Sequence, residues 1–257
     1  MLNTVRYETA NGAGEAPPLL IAHGLFGSAR NWGGIARELG KRGPVLAVDM
    51  RNHGASPWHS RHTYADLAAD LAAVIAAEGR PVDLLGHSMG GKAAMVLALT
   101  RPEGLRRLVV ADIAPAAYGH SQQALIDAMR GLDLGGLASR GEADRRLAAS
   151  IPEPGVRAFL LQSLDLRADP PGWRLNLDAL EGAMPEILGW PDQDARFEGP
   201  ALFLAGARSD YVRPEHRPAI RRLFPAARLA RIPGAGHWLH ADRPAETAAA
   251  LRAFLDA

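Results

Sequence analysis

Val82-Asp83-Leu84-Leu85-Gly86-His87-Ser88-Met89-Gly90-Gly91 is the stretch that decides the fold of this chain. A short apolar run leads into Gly-x-Ser-x-Gly, and a segment from Met89 to Leu99 follows that is apolar nearly all round. That order reads as strand, sharp turn, helix. Such a turn strains the backbone of the serine and exposes its hydroxyl, and it needs glycines where side chains would collide. A helix beginning at Met89 also aims its N-terminal N–H groups toward Ser88, where negative charge would develop during an attack on a carbonyl.

The same texture extends to both sides. Pro18-Leu19-Leu20-Ile21-Ala22 stops at His23-Gly24, Val45-Leu46-Ala47-Val48 at Asp49, and Leu108-Val109-Val110-Ala111 at Asp112. Short apolar runs bounded by Gly, Pro or Asp suit strands buried on both faces of a parallel sheet. Between them, Tyr64 to Glu78 carries Leu67, Leu71, Val74 and Ile75 on one helical face and ends at Gly79 and Pro81. Strand–helix alternation predicts an α/β fold with a mostly parallel central sheet flanked by helices.

After Pro115 the alternation stops. Residues 116–199 show helical periodicity broken by Gly and Pro, with no convincing strand. The strand pattern resumes at Ala201-Leu202-Phe203-Leu204-Ala205 and again from Ala227 to Ile232. Asp242-Arg243-Pro244 then opens a final helix, with Asp242 read as its cap. The expected organisation is a core of residues 1–115 and 200–257 interrupted by a helical cap over 116–199.

Composition narrows the function classes. A chain of 257 residues buries roughly 70–75% of its unfolded surface, so it needs no covalent staple. With no cysteine, disulfides, thiolate metal sites and a cysteine nucleophile are excluded. The formal net charge is +1 and the arginines are spread along the chain, which argues against a nucleic-acid surface. No apolar run reaches the ~18 residues of a membrane span. The opening Met1-Leu2-Asn3-Thr4-Val5-Arg6-Tyr7-Glu8-Thr9-Ala10 lacks the pattern of a signal peptide. A cytoplasmic protein acting on a small molecule is therefore expected.

A neutral serine needs a base. Of nine histidines, only His237, in Pro233-Gly234-Ala235-Gly236-His237-Trp238, follows a strand end near the C-terminus in a loop tight enough to return over the sheet. His240 is read as a packing or hydrogen-bonding residue. Two backbone N–H groups should meet the oxyanion: that of Met89, after the nucleophile, and one from the loop after an earlier strand. Leu25 fits the second place, with Phe26 as the alternative, and His23 reads as a loop tie. The acid has two candidates. Asp112 directly ends an apolar strand, and Asp210 follows the strand ending at Gly206. Asp49 reads as an anchor for Arg51 or for nearby N–H groups.

Taken together, His23-Gly24, Asp49-x-Arg51-x-x-Gly54-x-Ser56, Gly86-His87-Ser88-Met89-Gly90-Gly91 and Gly234-x-Gly236-His237 resemble the α/β-hydrolase superfamily over nearly the whole chain. His23-Gly24-Leu25-Phe26-Gly27-Ser28 and Asp112-Ile113-Ala114-Pro115 are similar to the small bacterial esterases related to the abhydrolase-domain-11 proteins. The resemblance implies a carboxylesterase or acyl-thioesterase with a helical cap and no metal. It places the acid at Asp112. The more usual superfamily position, three residues after Gly206, holds Ser209, one residue short of Asp210.

Other signals carry less. Ser88 and Lys92 are four apart, which does not make Ser-x-x-Lys. His59-x-x-His62 has no third ligand at metal-site spacing and reads as two exposed histidines. Glu142, Asp144 and Asp165 alternate with arginines and read as solvated rather than as an amine-binding cluster. The expected function is a serine hydrolase acting on carboxylic esters or acyl thioesters without a cofactor. Perhydrolysis or carbon–carbon hydrolysis on the same triad stays open, as does a non-catalytic ligand-binding role.

Overall fold

The computed structural model describes residues 1–7 and 16–257. Residues 8–15, which include the end of the N-terminal stretch read above, lie outside the described residues. Strands β1 (Thr4–Tyr7), β2 (Leu19–Ala22), β3 (Val45–Val48), β4 (Val82–His87) and β5 (Leu105–Ala111) alternate with helices α1 (Gly33–Leu39), α2 (Tyr64–Glu78) and α3 (Met89–Thr100). Helices α4 (Gln123–Gly131), α5 (Arg140–Leu147) and α6 (Pro154–Leu160) follow, then β6 (Leu164–Asp165) and β7 (Gly172–Trp173), and helices α7 (Leu177–Gly182) and α8 (Met184–Leu188). The chain ends with β8 (Ala201–Gly206), α9 (Arg217–Leu223), β9 (Ala227–Ile232), α10 (Leu239–Asp242) and α11 (Pro244–Leu255).

Among the described residues the main sheet has seven strands in the order β1-β3-β2-β4-β5-β8-β9. All pairs are parallel except β1 with β3, and β1 was not anticipated from its half-exposed sequence. β2, β3, β4 and β8 are buried along their whole length, which is why they read as continuous apolar runs. Two apolar layers cover the sheet. One includes Trp32, Ile35, Leu39 and Leu251, and the other includes Leu67, Leu71, Met95 and Ile126.

Strand order reverses at β2 and β4, because β3 lies on one side of β2 and β5 on the far side of β4. In open parallel sheets the crevice beyond the carboxyl ends of such strands is where ligands bind. The turns after β2 and β4 therefore occupy the favoured place.

Two sequence expectations need correction here. The segment 116–199 is not free of strands, because β6 and β7 form a two-residue antiparallel pair, too short for any periodicity to reveal. Asp242 does not cap the final helix: it closes α10, and its Oδ2 accepts Gly236 N–H at 2.7 Å, while Arg243 takes the cap position.

Candidate active site

Ser88 stands between β4 and α3 with φ +53° and ψ −119°, a region costly for a side-chain-bearing residue. The surrounding packing holds it there. A Cβ at Gly86 would lie 2.2 Å from Gly90 O, and one at Gly90 would lie 2.5 Å from Ala22 O. These glycines are required because α3 is drawn against β2 and β4. Ser88 N–H donates to Ala111 O at 3.0 Å, which extends the ladder of β5 by one bond into the turn.

Asp112 sits at the matching place after β5, also at positive φ (+50°), with N–H donating to Leu204 O at 2.9 Å. Its side chain is wholly buried. Oδ1 accepts Gly206 N–H at 2.8 Å. Oδ2 accepts the hydroxyl of Ser209 and the Nδ1–H of His237, the latter at 2.8 Å. With Nδ1 protonated, His237 Nε2 is free to accept, and Ser88 Oγ lies 3.1 Å from it. The loop bearing His237 is itself fixed. His87 Nε2 donates to His237 O at 2.8 Å, and the Tyr211 ring stacks on the imidazole at 3.9 Å between centroids. Asp210, the alternative acid, is exposed at the surface. Ser209 points inward in its place.

The loop after β2 separates the two oxyanion candidates. Phe26 has φ +62°, its N–H donates to His53 Nε2 at 3.1 Å, and its carbonyl accepts Ser163 Oγ–H at 3.0 Å. Both of its backbone groups are committed. The N–H of Leu25 has no acceptor among the described residues, and that of Met89 opens α3, where helical N–H groups lack internal partners.

Buried histidines tie these loops together. His23 Nδ1–H donates to Gly24 O at 2.7 Å, and its Nε2 accepts Met50 N–H at 2.9 Å. His53 Nδ1–H donates to Arg51 O at 2.8 Å. His62 is not exposed as the sequence suggested. It is buried, with Nδ1 accepting Asn52 Nδ2–H at 3.2 Å and Nε2 against Met89 Sδ at 3.3 Å, whereas His59 is exposed. Burial pushes the imidazolium forms of His23, His53 and His87 down, and that of His62 to about 4. His240 stacks on Trp32 at 4.4 Å, as its packing role required. Asp49 anchors N–H groups and not Arg51. It accepts from Ala29 N at 2.8 Å, Ala55 N at 2.9 Å and Asn3 Nδ2 at 2.8 Å, while Arg51 pairs with Asp70 at 2.6 Å.

Sequence reasoning missed Lys92. Its Nζ is buried one turn beyond Ser88 and donates to the carbonyls of Ile187, Leu188 and Gly189 at the end of α8. Burial pushes its ammonium down, to about 7. A lysine inside an otherwise apolar helix was the available signal. Glu142, Asp144 and Asp165 pair with Arg146, Arg157 and Arg174.

Ser88, His237, Leu25 and Met89 line one cavity of about 280 Å³. Residues of the 116–199 segment also line it, among them Tyr118, Leu125, Val156, Phe159 and Leu188.

Residues 19–250 match the model of the alpha/beta hydrolase family. The chain belongs to that family. It is 40% identical over 260 residues to the mouse (Mus musculus) protein named sn-1-specific diacylglycerol lipase ABHD11, covering 97% of this chain and 84% of that one. It is 36% identical to Esterase YbfF of Escherichia coli K12, with 98% of each chain covered. A solved structure titled marine microorganism esterase superposes with a TM-score of 0.91 at 35% identity, over 98% of each chain. With relatives of this kind, the chain is a hydrolase resembling the ABHD11-related bacterial esterases. No helix among the described residues is long and apolar enough to cross a membrane.

Proposed function

We propose that this protein hydrolyses carboxylic esters through an acyl-enzyme on Ser88. The observation that carries the proposal is the continuous path from Ser88 Oγ to His237 Nε2 at 3.1 Å and from His237 Nδ1 to Asp112 Oδ2 at 2.8 Å. Ser88 attacks the carbonyl as His237 takes its proton, and Asp112 holds the imidazole in the tautomer whose Nε2 can accept. The N–H groups of Leu25 and Met89 receive the oxyanion. His237 then returns the proton to the leaving group, and a water molecule, deprotonated by the same imidazole, releases the acid. Segment 116–199 acts as the cap that shapes the acyl pocket. A thioester carbonyl meets the same groups, so acyl thioesters fall within the proposal. Names of the relatives as lipase and esterase support this substrate class.

At about 280 Å³ the cavity lies just below the ~300–1,000 Å³ of ligand pockets. Each acyl methylene buried there contributes ~0.8 kcal/mol, so chain length sets kcat/KM until the cavity is full. Kinetics with p-nitrophenyl esters and acyl-CoA thioesters of graded length test the proposal against the Ser88→Ala variant. Turnover should fall on the order of 10⁴–10⁶ in that variant, and fluorophosphonate labelling should disappear with it. Near-parental rates from a folded Ser88→Ala protein would exclude the serine mechanism.

A further inference from the structure

We propose that Trp32 and His240 form a leaving-group subsite of the catalytic cavity, one that takes an uncharged hydroxyl on the alcohol part of the ester; this deepens the reading above and rests on it. Trp32 closes the short helix Ala29–Trp32 after β2 and is 1% exposed, and His240 lies in α10, three residues beyond His237. Both line the cavity that holds Ser88, and their rings stack at 4.4 Å between centroids. Trp32 Nε1 and His240 Nδ1 are buried. Among the described residues they are the two buried side-chain polar atoms to which the chain gives no hydrogen-bond partner.

A buried indole N–H normally finds an acceptor, and leaving it without one costs about 1–3 kcal/mol. Other polar side chains lining the cavity, such as Lys92, Tyr118 and Asn31, are paired within the chain. Two unpaired atoms on touching rings are the exception. Packing alone would be served by a phenylalanine at position 32. The indole can only donate. The imidazole of His240 is neutral, because burial pushes its pKa down to about 4, so in the tautomer protonated at Nε2 its Nδ1 accepts. A hydroxyl accepts and donates, so it matches both atoms. A carboxylate or phosphate would set its lone pairs against that of the imidazole, and an ammonium has no acceptor for the indole.

Position selects the alcohol over the acyl chain. Trp32 and His240 both pack on His87, at 5.9 and 5.2 Å between centroids, and His87 Nε2 holds the carbonyl of His237. The leaving oxygen must reach His237 Nε2 to collect its proton. The part of the cavity beside the His237 loop therefore receives the alcohol. A hydroxyl a few bonds from the ester oxygen satisfies the pair, whereas an alkyl alcohol leaves both atoms unpaired.

The test compares esters of matched size on the full chain: hydroxyethyl butyrate against propyl butyrate, and ω-hydroxypropyl butyrate against butyl butyrate. Each kcat/KM is divided by the hydroxide-catalysed rate of the same ester, because a hydroxyl also makes the alcohol a better leaving group. We expect one hydroxylated ester or both to be preferred about tenfold. Trp32→Phe removes the N–H but keeps an aromatic ring, and should bring that ratio to within about twofold of one. The ratio in the parent protein needs no variant, so it decides the matter even if Trp32→Phe does not fold. Propyl ω-hydroxyhexanoate against propyl heptanoate moves the hydroxyl to the acyl side, where no gain is expected. A parent ratio near one, a preference that Trp32→Phe leaves intact, or a gain only from the acyl hydroxyl overturns the proposal while leaving the triad intact. Substantial turnover of p-nitrophenyl butyrate by Ser88→Ala would instead remove the reading on which it rests.

Discussion

The turns at the carboxyl edge of the sheet and the segment 116–199 both line one cavity, and they are held in different ways. In the turns the sheet's own ladder continues: Ser88 N–H reaches Ala111 O, Asp112 N–H reaches Leu204 O, and Ala207 N–H reaches Ile232 O. Ser88 and Asp112 are thus placed by the register of the neighbouring strand, while His237, in the loop beyond β9, is held by His87 through its carbonyl. The segment is fastened at separate points: Lys92 to the end of α8, Tyr64 Oη–H to Ile187 O, Ser163 Oγ–H to Phe26 O, and the backbone of Arg174 and Asn176 to that of Gly54 and Asn52. In the proposed reaction the nucleophile and the acid therefore sit on turns tied to neighbouring strands. Shape of the pocket sits on the element whose fastenings can be changed one at a time.

The sharpest way to break this contrast is to remove a charge from the edge. Asp112→Asn should cost up to ~10⁴ in kcat, about 5 kcal/mol, because an amide favours the wrong imidazole tautomer. Asp210→Asn, next to Ser209 in the chain but exposed, should stay within about twofold, as surface changes do. Parallel kinetics on both variants decide between them. A crippling Asp210→Asn beside a mild Asp112→Asn would move the acid to β8 and end the claim that strand register places it.

A second expectation concerns the seam between the two regions. His53 and His62 lie in the loop that pairs with the segment, and His62 reaches Met89. The folded state holds His62 neutral down to about 4 because burial disfavours its charge. An unfolded histidine protonates near 6.5. The unfolded chain therefore binds more protons below pH 6.5, and stability that is full above that pH is lost as pH falls toward 4. His62 alone accounts for roughly 3 kcal/mol over that window. His23 and His53 act in the same direction. Denaturant unfolding at stepped pH should show the decline, and His62→Gln should make it shallower, with His23, His53, His87 and His240 supplying the rest. Hydrogen exchange should open residues 50–62 and 163–176 before β4 and β5. Simultaneous exchange of seam and sheet would mean the two regions are one cooperative unit.

The same contrast explains what the sequence disclosed. Strands buried on both faces leave unbroken apolar runs, and a turn that tolerates only glycine leaves Gly86 and Gly90, so β2, β3, β4, β8 and the Ser88 turn were legible. Choosing between Leu25 and Phe26 needed the partner of each N–H. That partner, His53, lies 27 positions away in sequence, beyond any local pattern. His62 looked like a surface residue because its neighbours His59 and Arg61 are polar and exposed, yet the loop folds it inward onto Asn52 and Met89. The pair β6 and β7 spans two residues per strand, below the length at which alternation exists.

The mildest expected effect tests a fastening of the segment. Lys92 donates to three carbonyls, but two of them have a second donor: Ile187 O accepts Tyr64 Oη–H at 2.8 Å, and Leu188 O accepts Tyr118 N–H at 2.9 Å. Lys92→Met therefore leaves Gly189 O as the carbonyl whose side-chain donor is not replaced. A fully buried acceptor left unpaired costs about 1–3 kcal/mol, and Gly189, only partly buried, falls at the low end. Removing a buried ammonium offsets part of that, because its desolvation is no longer required. Contact of Nζ with the Tyr118 ring, 4.9 Å from its centroid, is lost as well, although the methionine thioether also packs well on aromatic rings. A net loss of ~1 kcal/mol follows, and it falls on the end of α8, where Ile187 and Leu188 line the cavity. KM for the longest acyl chain that fits should rise about threefold to tenfold, while kcat for the shortest ester stays within about twofold. Measuring both esters on the one variant reads the effect directly. If kcat for the short ester instead collapses as it does in Asp112→Asn, Lys92 belongs to the chemistry, and the division between a reacting edge and a shaping segment fails at the one residue that joins them.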